Sequence, residues 1–159
     1  MILRFKQEMM SFEEDVMVLN SPDVSLERMR EIIDKYRHSP DDLRDLVEAR
    51  YNGKNAIHIA CFAMNFDKLK LLITECGNFD INKHTDVGLP QHALSIISHN
   101  FAHYYFNLRQ IQQEDEIENE LANIENAKRM FCYVMENTDA DINLPTEFYY
   151  THYVLSHLH

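Results

Sequence analysis

Basic residues are scarce in this sequence: 15 Lys and Arg stand against 26 Asp and Glu, for a formal net charge of −11. Sequence-independent nucleic-acid binding depends on cations that neutralise phosphates, so the charge argues against that class and equally against anionic membrane surfaces. Only three glycines and four prolines occur, too few for long disordered linkers. The three cysteines, Cys61, Cys76 and Cys132, are an odd number with no metal-type spacing, which reads as reduced thiols in a cytosol. No apolar run approaches the roughly 18 residues needed to span a bilayer. The stretch up to Asp15 lacks a continuous apolar segment of signal-peptide length. Also missing are G-x-S-x-G, a glycine-rich phosphate loop and any diagnostic pair of carboxylates.

What is present is enough for one domain with a core: 159 residues, 45% of them hydrophobic. Phe5, Met9, Phe12, Val16 and Leu19 fall at steps of three and four and predict a first helix over 3–19. Asn20-Ser21-Pro22-Asp23 breaks it. Ser25 is the N-cap of a second helix whose apolar face is Leu26, Met29, Ile32, Ile33 and Tyr36, although Arg28 stands where a capping box wants Glu. Ser39-Pro40 opens a short helical turn carrying Leu43, Leu46 and Val47. Residues 3–50 together read as a helical pair that covers the middle of the chain.

That middle begins with a glycine turn at Gly53, then the compact run Ala56-Ile57-His58-Ile59-Ala60-Cys61 and a more strongly apolar helix, Lys68-Leu69-Lys70-Leu71-Leu72-Ile73. Asp80-Ile81-Asn82 closes the unit. The pattern returns: Leu89-Pro90-Gln91-His92-Ala93-Leu94 comes after Gly88, and Asp139-Ala140-Asp141-Ile142-Asn143 repeats the closing signature. His58 and His92 stand 34 positions apart. Over residues 52–143 the sequence resembles the ankyrin-repeat family, whose units start T-P-L-H-x-A and recur at about 33 residues. The expected fold is therefore an all-α ankyrin-type helical repeat solenoid. Residues 1–50 would be a helical cap or degenerate repeat, 51–83 a regular repeat, 84–143 an enlarged repeat and 144–159 the start of a further repeat or a terminal helix.

The enlargement is legible. His58 to Asp80 spans 22 positions but His92 to Asp141 spans 49, and the added stretch holds no Gly or Pro. Phe101, Tyr104, Tyr105 and Leu108, then Ile117, Leu121, Ile124, Phe131 and Met135, keep a helical spacing on either side of a polar break at Gln110 to Asp115. Two lengthened helices in a projecting antiparallel hairpin are predicted over 104–124. Its tip is acidic, with Glu114, Asp115, Glu116, Glu118 and Glu120 and no basic residue between Arg109 and Lys128.

Candidate chemistry is thin. His92, His99 and His103 share one helical face, but no glutamate or cysteine completes a zinc set, so no metal or cofactor is expected. The resemblance gives His58 and His92 a structural role, bonding backbone groups that stitch neighbouring repeats. Cys61 beside His58 sits at a small-residue position of the repeat helix and reads as a buried, inert thiol. The acidic run lacks the alternating ligands and central glycine of a calcium loop.

Without catalytic machinery, the expected function is protein binding. The resemblance places partner contacts on the hairpin tips, Tyr51 to Lys54 and His84 to Val87, and on the exposed side of each first helix. On this sequence those positions are Tyr51, Lys54, His84, Asp86, Phe62 and its counterpart Ile96. Tyr105 and Phe106 join them, because adjacent helical positions cannot both point inward. An acidic hairpin favours a basic protein partner through electrostatic steering. The alternatives are the binding part of a larger enzyme and a secreted bacterial effector, the latter placing the chain in a host cytoplasm. Near the end, Phe148, Tyr149, Tyr150 and Tyr153 form an aromatic segment without Lys or Arg. A homodimer or further repeats through 148–158, or a fold-back onto the enlarged repeat, would cover it.

Overall fold

The computed structural model describes residues 2–144 and His157, with side chains from Ser11 onward. All regular structure among these residues is α-helical. The order is α1 (Ile2–Leu19), α2 (Leu26–Tyr36), α3 (Pro40–Glu48), α4 (Ala56–Phe62), α5 (Phe66–Cys76), α6 (Ala93–Leu108) and α7 (Glu114–Asn137). None of these helices is long and apolar enough to cross a membrane. The aromatic segment at 148–158, His157 apart, lies outside the described residues.

Four helices start where a short polar side chain accepts the backbone N–H three residues on. Ser25 takes Arg28, Ser39 takes Asp42, Asn55 takes His58 and Asn65 takes Lys68. Each bond satisfies one of the orphan donors at a helix start, typically about 1 kcal/mol. Pro40 at the first position of α3 needs no partner for its missing N–H. The turn expected there is a nine-residue helix, so the N-terminal part is three helices and not a pair. Leu46 and Val47 of α3 are wholly buried.

Two polar ties fix this part. Asp15 of α1 is buried and accepts from Lys35 Nζ (2.8 and 3.0 Å) and from the Tyr36 hydroxyl (2.8 Å), both at the end of α2. Burial, then the Asp15 carboxylate, pushes the Tyr36 phenol far above its usual range. Lys68 of α5 is also buried, its ammonium donating to the Pro22 carbonyl at 2.8 Å in the α1–α2 turn. One apolar core runs through all of these elements, from Val16 past Met29, Ile33, Leu46, Leu69 and Leu72 to Ile97, Phe101, Phe131 and Val134.

The last pair is much longer than the one before it: α6 and α7 have 16 and 24 residues, α4 and α5 have 7 and 11. The lower part of α7 packs on α5, with Tyr133 edge-on to Phe66 (5.4 Å), its hydroxyl 3.0 Å from Thr74 Oγ1, and Arg129 over the Phe66 ring. Asn126 marks the upper limit, donating to the Met64 carbonyl in the α4–α5 turn at 2.8 Å. Residues 114–125 therefore extend past that turn, by about 18 Å at 1.5 Å per residue. Replacing Phe106–Glu116 with a short turn should leave urea unfolding cooperative. The expected stability loss is smaller than that of Phe131→Ala, about 3–5 kcal/mol for a buried aromatic. Loss of a single transition on shortening would place the tip in the core.

Candidate functional site

Between α3 and α4 the chain makes a tight hairpin. Asn52 (φ 53°) and Gly53 (φ 77°) both take positive φ, and Tyr51 and Lys54 exchange backbone hydrogen bonds of 2.9 and 3.2 Å. Asn-Gly is the pair that such a two-residue turn favours. Gly53 is required twice over, since a Cβ there would also lie 2.8 Å from Val87 Cβ. The Asp86 N–H donates to the Gly53 carbonyl at 2.8 Å. Arg50 then clamps the second loop, donating to the His84 carbonyl at 2.7 Å and pairing with the Asp86 carboxylate.

The second loop is closed on itself. Thr85 is buried, its N–H donates to the Gln91 carbonyl (2.9 Å), and its hydroxyl accepts from Gln91 N (3.2 Å). Residues 86–90 are all exposed as a result. This surface brings Tyr51, Lys54, His84 and Asp86 together, and Phe62 joins them because the Lys54 ammonium sits 4.9 Å above its ring. Tyr51 also borders a groove of about 480 Å³ lined by Phe12, Val16, Met17 and Ala49. Leu89 and Arg50 are participants that the sequence pattern does not single out. Leu89 stands in the stretch that resembles the opening of a repeat, and only the Gly88-Leu89-Pro90 context hints at a loop.

Ile96 is a correction. It is 1% exposed and offers a partner nothing, whereas Phe62 is 39% exposed. Aligning His58 with His92 misplaces the helices: the N-caps are Asn55 and His92, 37 positions apart and not 34. Counted from the caps, Ile96 matches Ile59, and the counterpart of Phe62 is the half-exposed His99. On the projection, Phe106 is 65% exposed. Tyr105 is half-covered: it stacks on Phe101, Arg109 lies 5.4 Å from its ring centre, and His157 meets it edge-on at 5.1 Å.

The histidines divide by burial. His58 is buried with both ring nitrogens occupied: Nδ1 accepts from Asn55 N (3.1 Å), so Nε2 carries the proton and donates to the Lys83 carbonyl (2.7 Å). At His92 the reciprocal bonds are made by Ser95, whose Oγ accepts His92 N–H and donates to His92 O. The His92 ring is buried and packs edge-on against His84 at 5.4 Å. Burial pushes His58 and His92 down to about 4, opposed at His58 by the Lys83 bond and reinforced at His92 by the charge of His84. Among the described residues no group of three His, Cys, Asp or Glu has the geometry to hold a metal ion. Cys61 is fully buried and burial raises its thiol, the reverse of what an attacking thiolate needs.

No family model, curated protein or solved structure matches this chain.

The histidine geometry sets two expected outcomes. His58→Ala orphans the Asn55 N–H and the Lys83 carbonyl and should lower the unfolding free energy by about 1–3 kcal/mol. His103→Ala, at an exposed position, should change it by less than about 0.5 kcal/mol. Equal losses in urea titrations would remove the bridging role. The second outcome concerns pH. Unfolded histidine titrates near 6.5, above the folded values of about 4, so the unfolded chain binds more protons in between. Stability should be full above pH 6.5 and fall as pH drops toward 4, with uptake of up to about two protons on unfolding. A flat profile over that window would contradict the buried neutral state.

Proposed function

We propose that this chain is a non-catalytic protein-binding module of ankyrin-repeat type, in which α4–α5 and α6–α7 are successive units and the loops before them form the contact surface. The closing signatures support the units. Asn82 N–H donates to Asp80 Oδ1, and Asn143 N–H to Asp141 Oδ1, each at 2.9 Å. A side chain of the preceding unit accepts the N–H of each aspartate: Glu48 takes Asp80 (2.6 Å) and Asn82 takes Asp141 (2.8 Å).

The observation that carries the function is where apolar side chains are left in water. Eight large ones are exposed among the described residues, and four of them, Tyr51, Phe62, Val87 and Leu89, belong to the two clamped loops and the end of α4. Protein interfaces concentrate aromatic and apolar anchors on pre-organised surfaces. The loops' mutual hydrogen bonds mean that little ordering cost is left for binding. The net charge of −11 favours a protein partner over a nucleic acid.

The experiment is affinity capture from the cell of origin with the intact chain and with Tyr51→Asp/Val87→Asp. Both sites are exposed, so the melting temperature should be unchanged. Capture of the principal partner should fall about tenfold, equivalent to about 1.4 kcal/mol. Undiminished capture by the double variant would remove the loops from the interface.

A further inference from the structure

The long helix α7 has three faces, and only two are used by the described residues. Ile124, Ala127, Phe131 and Val134 are buried in the core that α7 shares with α6. Asn126, Arg129 and Tyr133 meet α5 and the turn before it. The third stripe runs Glu114, Ile117, Glu118, Leu121, Glu125 at helical steps of three and four and stays accessible over its whole length. Leu121 is 49% exposed, and Ile117, one turn before it, is half-exposed. None of the three glutamates makes an ion pair with a described residue. Further along the same stripe come Lys128, Cys132 and the exposed Met135.

An apolar pair flanked by carboxylates on an open helical stripe has the layout of one half of a two-helix seam, in which apolar positions interlock and flanking charges select the partner. We propose that this stripe of α7 docks a basic amphipathic helix of another protein, its apolar residues seated on Ile117 and Leu121 and its Lys or Arg side chains paired with Glu114, Glu118 and Glu125. A second copy of this chain is a poor occupant, since its own stripe sets three carboxylates against the single Lys128. Charge complementarity therefore favours a basic partner. The inference rests on the protein-binding reading above but uses a different surface.

The test is fluorescence anisotropy with the full chain and a labelled peptide of about 18 residues built from Leu, Ala and Lys in an amphipathic helical pattern. The expected result is saturable one-to-one binding, weakened about tenfold by Leu121→Asp and by Glu118→Lys/Glu125→Lys. The pair Glu14→Lys/Glu27→Lys makes the same charge change on α1 and α2 and should cost less than about threefold. Equal weakening by the two charge pairs would show diffuse attraction and overturn the proposal, as would absence of saturable binding. A concentration-dependent dimer abolished by Leu121→Asp would overturn it too, by giving the stripe to a second copy. Tyr51→Asp/Val87→Asp should leave peptide binding intact, so failure at the loops and failure at α7 are read separately.

Discussion

The imidazole of His58 holds the middle of this molecule together. It stands at the third position of α4, accepts the N–H that precedes the helix and donates to the carbonyl of Lys83, on the far side of α5. One neutral ring thereby fixes a helix start and the chain's exit toward the next pair. Lys83 is held from the other side by Glu48 at 2.7 Å. Burial by itself would raise the Glu48 carboxyl, but the bonds from Lys83 and the Asp80 N–H outweigh it and leave the group below its usual range. With this backbone anchored, Arg50 can reach His84 and Asp86, and the loops close against one another. The bonds from His58, Glu48 and Arg50 thus converge on the short stretch from Lys83 to Asp86.

Charge is distributed in the opposite sense at the two extremities. Around the loops Lys83 pairs with Glu48 and Arg50 with Asp86, while Lys54 lies over the Phe62 ring. At the projecting end Glu114, Asp115, Glu116 and Glu118 are exposed and unpaired among the described residues. The first three lie in the opening turn of α7, where the helix dipole favours negative charge, so they support the helix locally while repelling one another across the tip. A helix that begins with acid and ends among apolar neighbours keeps its fold at the base and its field at the tip.

Much of this was legible in the residues. Ser25, Ser39 and Asn52-Gly53 announce their caps and turn by chemistry alone, and the absence of Gly and Pro through 97–137 is enough to announce two long helices. Ile96 was not legible, because the histidines recur in sequence without occupying the same helical position: His58 lies at the third residue of its helix and His92 at the cap. Ser95 takes over the bond that His58 makes to the N–H of its helix cap, a substitution that no periodicity count detects. The open stripe of α7 was equally hidden. Ile117 and Leu121 continue the apolar spacing of Ile124 and Phe131, and only their exposure and the position of Asn126, the last residue of α7 tied to the α4–α5 turn, set them apart from the buried ones.

That position of Asn126 has a mechanical meaning. A hairpin fixed at its base and free beyond it is a cantilever, with its pivot at the bond between Asn126 and the Met64 carbonyl. Over an arm of about 18 Å, a rotation of about 10° at the pivot carries the tip about 3 Å. Force applied at the tip returns as torque on the α4–α5 turn, where Met64 already holds a positive φ of 51°. The strained residue in that turn thus sits where the lever would load it.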